Sequence, residues 1–247
     1  MPGKNSHIPQ MASVRGDVER RCADVVSQII DLSWDYAGQG FSFAEHPELE
    51  REVNRLLVSL SDGMLSDATL RAQKALIEDG LDDWEDEAAG YASGERGGEP
   101  IVQRLDKHCD HLKELVALWL IAGAVSGLSK GEVVRQMFSH QSNPSMSASW
   151  KEAGLSNPQW GRGYMIDTVG GMTVVLQDYI SRIYQYSVLQ GFAENGAIGY
   201  RTVRNSGYDC PYCDEMCTKI WPLDEVVLPY HPRCVCLAVP VYKNDSI

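Results

Sequence analysis

The chain has 247 residues, 44% of them hydrophobic, with a formal net charge of −12 and a pI of about 4.9. That length and apolar content suffice for one or two domains with a real core. The acidic balance argues against broad, non-specific clamping of duplex DNA, which needs an excess of Lys and Arg.

Residues 1–12 are polar at their start, carry Pro and Gly, and read as a flexible arm without the apolar centre of an export signal. Ser13 can cap a first helix to about residue 37, with Val14, Val18, Val25, Ile29, Leu32 and Tyr36 near helical spacing, and Gly38 and Gly40 stop it. Pro47 suits the first turn of a second helix striped by Leu49, Val53, Leu56, Leu57 and Leu60. A third helix is predicted over 67–78. Seven of the ten residues 78–87 are acidic, and with Gly90, Gly94, Gly97, Gly98 and Pro100 they read as a solvated loop over about 78–100.

A long helix is predicted over 101–126. Its centre, residues 116–122, is apolar nearly all round, which predicts the buried axis of a bundle. The apolar run 116–125 is far shorter than the roughly 20 residues of a membrane helix. Ser129 and Glu132 have the spacing of a capping box that opens a short helix. Residues 140–163, broken by Asn143-Pro144 and Asn157-Pro158, read as a loop. The last long helix is predicted over 165–195, with Gly170 and Gly171 early in it and Asn195-Gly196 at its end. Short β-prone pieces follow around 200–203, 219–221 and 235–242. The expected architecture is mainly α: a helical domain (13–198), then a small α+β C-terminal unit (199–247) that a metal can staple.

That unit holds five of the seven cysteines, between Cys210 and Cys236, together with His231. Thiolate and imidazole ligands suit a tetrahedral metal such as zinc. Cys210 and Cys213 have the spacing of one knuckle, His231 and Cys234 that of a second, and 17 residues separate the pairs. With no export signal, a reducing cytoplasm is expected, which favours metal over disulfide. The first-choice ligand set is Cys210, Cys213, His231 and Cys234. Cys236 competes with Cys234, because alternate strand residues face the same side. Four ligands would close the site, so the expected zinc is structural and no catalytic residue is assigned. Unligated thiols, with the unit held by β pairing alone, are the alternative.

The runs Gly199-Tyr200-Arg201-Thr202-Val203-Arg204, Asp209-Cys210-Pro211-Tyr212-Cys213, Trp221-Pro222-Leu223-Asp224-Glu225 and His231-Pro232-Arg233-Cys234-Val235-Cys236 resemble the carboxy-terminal signature of the phage Mu protein F-like minor head proteins. The strong part covers about 199–242, with a weaker helical match back to about 115. Where that family usually has Gly five residues after the second Cys, this chain has Thr218, preceded by an additional Cys217. Val235 replaces the usual Arg between the last two cysteines. The resemblance implies a structural, non-enzymatic minor head protein of a tailed phage or prophage, present in few copies. Its implied place is the portal vertex inside the capsid, and the host cytoplasm during assembly. Its implied role is head morphogenesis and genome packaging or delivery. The implied partners are the portal protein and other head proteins, with genomic DNA a further candidate. No membrane contact and no small-molecule substrate is expected.

Other motifs compete. Cys210-Pro211-Tyr212-Cys213 is also the active-site tetrapeptide of glutaredoxins, so a thiol-disulfide oxidoreductase is the second hypothesis. It requires a helix starting at the motif in a βαβ fold, and Pro222 and Pro229 leave little room for one. A bacterial effector carrying this kind of domain is a third hypothesis, ranked last because the chain shows no toxin motif. His46-Pro47-Glu48 matches half of a zinc-deaminase signature by composition. His108 and His111 beside Cys109 read as interface or surface histidines, and Cys22 and Cys109 as small buried hydrophobes.

Overall fold

The computed structural model describes residues 7–78, 80, 101–139, 169–205, 209–230 and 234–244. Among the described residues five helices build the body: α1 (His7–Ser33), α2 (Pro47–Glu78), α3 (Ile101–Val125), α4 (Lys130–Ser139) and α5 (Val169–Glu194). Strand β1 (Gly199–Val203), a short helix α6 (Pro211–Met216), β2 (Ile220–Trp221) and β3 (Leu237–Val241) follow among the described residues. The sheet is antiparallel in the order β2-β1-β3. The chain is thus mainly helical with a small C-terminal α+β part. Among the described residues no helix is long and apolar enough to cross a membrane. The predicted acidic loop beyond residue 80 and the loop at 140–163 lie outside the described residues.

Three helix expectations are corrected. α1 begins at His7, not after Ser13, because Met11 extends the buried stripe of Val14, Val18 and Cys22 by one more turn. The second and third helices are one. Its buried face runs on through Ser61, Met64, Ala68, Ala72 and Ala75, small residues that bring helices close without reading as an apolar stripe. Ion pairs Arg71–Asp17 and Arg21–Asp67 tie this half of α2 to α1.

The buried axis is α5, not α3. Twenty residues of α5 are buried, and it packs against α1, α2, α3, α4 and β3. In α3, Leu118 is 61% exposed and Val125 67%, so one side of that helix faces solvent. Two of the buried polar residues of α5 bond back into the helix: Thr173 Oγ1 donates to the Val169 carbonyl at 3.0 Å, and Ser181 Oγ to that of Gln177 at 2.6 Å.

α5 ends as Asn195-Gly196 predicts. Gly196 takes φ +81, its N–H donates to the Ala193 carbonyl, and the Ala197 N–H reaches the Phe192 carbonyl. This Schellman turn feeds the chain into β1, and the Ile198 N–H then donates to Val241. α4 opens at the predicted Ser129, whose N–H and hydroxyl both donate to the Glu132 carboxylate. The contact pulls the Glu132 carboxyl below its ordinary range. One continuous buried cluster runs from Met11 to Ala238, with no break in packing at residue 198.

Two glycines make opposite predictions. A Cβ on Gly191 would come within 2.5 Å of the buried Leu76, so α2 and α5 approach too closely there for a side chain. Gly191→Val should destabilise the protein by about 1–3 kcal/mol. Gly16 lies in α1 with open space around its would-be Cβ. Gly16→Ala should stabilise by about 0.5–1 kcal/mol. Urea unfolding of both variants checks the pair.

Candidate metal centre

The cysteine unit is built on β1. Tyr200 is fully buried, donates its hydroxyl to the Glu225 carbonyl at 2.6 Å and accepts the Val227 N–H at 3.2 Å, which pins the 225–227 loop. Its hydroxyl ionises well above the ordinary tyrosine range, burial being the main cause. Two residues on, Thr202 Oγ1 lies 2.7 Å from the Tyr230 hydroxyl and 3.3 Å from Cys217 Sγ. Tyr212 and Trp221 pack around Tyr230.

A helix does start at Cys-x-x-Cys, a short one, which corrects the expectation that the prolines leave little room for it. Cys210 is its N-cap, Pro211 fills the first position, where no N–H is needed, and Asp214 lies in the first turn. Six residues complete α6 before Thr218 Oγ1 caps the Glu215 carbonyl. Arg204 joins β1 to α6 by donating to the Cys210 carbonyl at 3.2 Å and pairing with Asp214. The setting is antiparallel, so the βαβ frame of a dithiol enzyme is not what surrounds the motif.

α6 turns Cys213 inward, where it is 1% exposed. Cys234 and Cys236 arrive on the segment entering β3, two residues apart and both buried, so one side of that segment carries both sulfurs. The three sulfurs all lie within 4.8 Å of one another, and Cys213 Sγ is 3.9 Å from Cys234 Sγ. A tetrahedral ion held at about 2.3 Å by each sulfur sets its ligands about 3.8 Å apart. The cluster can therefore hold a metal ion without moving the backbone far. Hydrogen bonding with Cys234 and Cys236, followed by burial, pushes the Cys213 thiol well above the ordinary range. An ion entering here must displace thiol protons.

Of the predicted ligands, the structure brings together Cys213, Cys234 and Cys236. Cys234 and Cys236 serve side by side in this group, where the sequence set them in competition. Cys210 is half-buried and outside it. His231 lies outside the described residues. Cys217, half-buried beside Thr202, is a further thiol near the group. None of the seven cysteines forms a disulfide.

The site has a support that spacing did not reveal. Arg15 of α1 donates Nη1 to the Cys234 carbonyl at 3.1 Å, and its Nη2 lies 3.1 Å from Oδ1 of Asp178 on α5. Both side chains are buried, and Gln177 Nε2 donates to the Arg15 carbonyl at 3.0 Å. The available signal was a charged residue within the buried stripe of each of two helices. The remaining candidates are structural. His46 packs against Tyr36 and Phe41, His108 against Tyr179, and His111 pairs with Glu114 at 3.1 Å. Cys22 and Cys109 are buried in the bundle.

Cys213→Ser, Cys234→Ser and Cys236→Ser should each weaken Co²⁺ binding by more than the roughly 10–100-fold typical of outer-shell changes. Chelator competition measures this. Burial, then the neighbouring Cys109, pushes the Cys22 thiol up to about 12. Burial, then Asp106, pushes Cys109 to about 12 as well. Both should resist iodoacetamide at pH 8 in the folded protein and react once it is unfolded, as read by mass spectrometry. Their folded values exceed the ordinary thiol value of 9.0, so the unfolded chain loses these protons first. Their contribution to stability is complete below pH 9 and falls as pH rises toward 12.

No family model, no curated protein and no solved structure matches this chain.

Proposed function

We propose that the chain is a structural minor head protein of a tailed phage or prophage, acting at the portal vertex, with its C-terminal unit stapled by one zinc ion. The observation that carries the reading is the convergence of Cys213, Cys234 and Cys236 into one buried group. These cysteines come from two of the four runs on which the resemblance to Mu F-like head proteins rests. A buried thiolate group completed by a fourth protein ligand leaves no open position for chemistry, which suits zinc in a structural role. Cys210, Cys217 and His231 are the candidates for that fourth position. The bundle would supply the surface that meets the portal and other head proteins.

A second reading, a thiol-disulfide oxidoreductase, draws on α6, whose N-terminus carries Cys210 as dithiol enzymes require. The placement of Cys213 among Cys234 and Cys236 favours the first reading.

The full-length protein should co-purify with the portal protein of its own genome and carry about one zinc per chain by elemental analysis. Failure to associate, with glutathione-coupled disulfide reduction that is lost in Cys210→Ser, would establish the second reading instead.

A further inference from the structure

We infer that Arg15 and Asp178 are the positioning pair of the metal site, and that they couple metal binding at the C-terminal cysteines to the order of helix α1. The inference rests on the metal-centre reading above. The carbonyl that Arg15 holds belongs to the peptide leaving Cys234, between the two ligands Cys234 and Cys236. Fixing that carbonyl fixes the rotation of the segment, and with it the direction of both sulfurs. Outer-shell hydrogen bonds that orient ligands in this way are typically worth about 10–100-fold in metal affinity.

The constraint acts in both directions. Arg15 presents a guanidinium that has donors and no acceptor. Its surroundings are buried, with Asp178 1% exposed on the central helix. If the Cys234 segment swings away, the guanidinium loses an acceptor where water cannot replace it. The segment and α1 therefore hold each other in place. Linkage is reciprocal: whatever factor the seated α1 adds to metal affinity, bound metal returns to the seating of α1. The contact spans 219 residues of sequence, so the effect links the two ends of the described chain.

The test uses the full-length protein, Zn²⁺ with a competing chelator, Co²⁺ as a spectroscopic probe and amide hydrogen exchange. Stripping metal from the wild type should speed exchange of α1 amides around residues 14–18, far from the cysteines in sequence. The variant Arg15→Met/Asp178→Leu replaces the buried pair with apolar side chains of similar size, a change that cores often accept. It should bind Zn²⁺ about 10–100-fold more weakly. Its Co²⁺ spectrum should be altered, and its α1 exchange should no longer respond to metal. A role confined to packing would leave the Co²⁺ spectrum and the Zn²⁺ affinity unchanged in a folded variant, and that result overturns the inference. Unchanged α1 exchange in a wild type that binds and releases zinc also overturns it, while leaving the metal centre standing. A wild type that binds no metal overturns both. Should the variant fail to fold, the wild-type exchange comparison decides.

Discussion

Arg15 brings a charge into the interior, and two distant segments take their places around it. Asp178 on the central helix supplies the counter-charge, and the Cys234 carbonyl takes a second donor of the guanidinium. A buried ion pair of this kind adds little net stability compared with well-packed apolar side chains, yet breaking it by removing one partner typically costs about 3–5 kcal/mol. Its effect is on position. α1 can neither slide nor rotate against α5 without moving the guanidinium away from both acceptors. The cysteine segment is tied to the same point.

α5 can occupy the centre because it is narrow where α2 crosses it and because part of its polar content is satisfied within the helix. Gly191 admits Leu76 of α2, and the hydroxyls of Thr173 and Ser181 return to their own helix. The cysteine unit repeats that economy at smaller scale. Tyr200 and Thr202 each use a hydroxyl to hold a loop partner, so a sheet with a two-residue edge strand still fixes the segments that carry its thiols. The buried cluster joins the two regions without interruption, which makes the C-terminal unit part of the bundle's own core.

Much of this was legible in the residues. Asn195-Gly196 and Ser129 with Glu132 marked helix ends correctly, because capping is local chemistry. The three strands also fell close to their predicted places. The convergence of Cys234 and Cys236 follows from the alternation of an extended segment, the same rule that sets them in competition for one ligand place. What was hidden depends on neighbours. Residues 116–122 are more apolar than most of α5, but their flank ends in solvent, since no helix covers Leu118 or Val125 among the described residues. The join in α2 was invisible because Ala68, Ala72 and Ala75 signal close packing only once a partner helix is present. α6 was missed because a six-residue helix fits before Pro222 where a longer one would not. Arg15 and Asp178 looked like two unrelated charges, since nothing in local spacing pairs residues so far apart.

The long span between Arg15 and Cys234 also orders events during synthesis. At about 5–20 residues per second, tens of seconds separate the appearance of the two on the ribosome. The helical hairpin of α1 and α2 can form early, through Asp17–Arg71 and Arg21–Asp67, whose partners lie 54 and 46 residues apart. That hairpin must then wait, with its apolar stripe uncovered, for the axis α5 to be made. The thiols of the cluster follow these helices, so the ion, where it binds, joins segments made after the bundle helices.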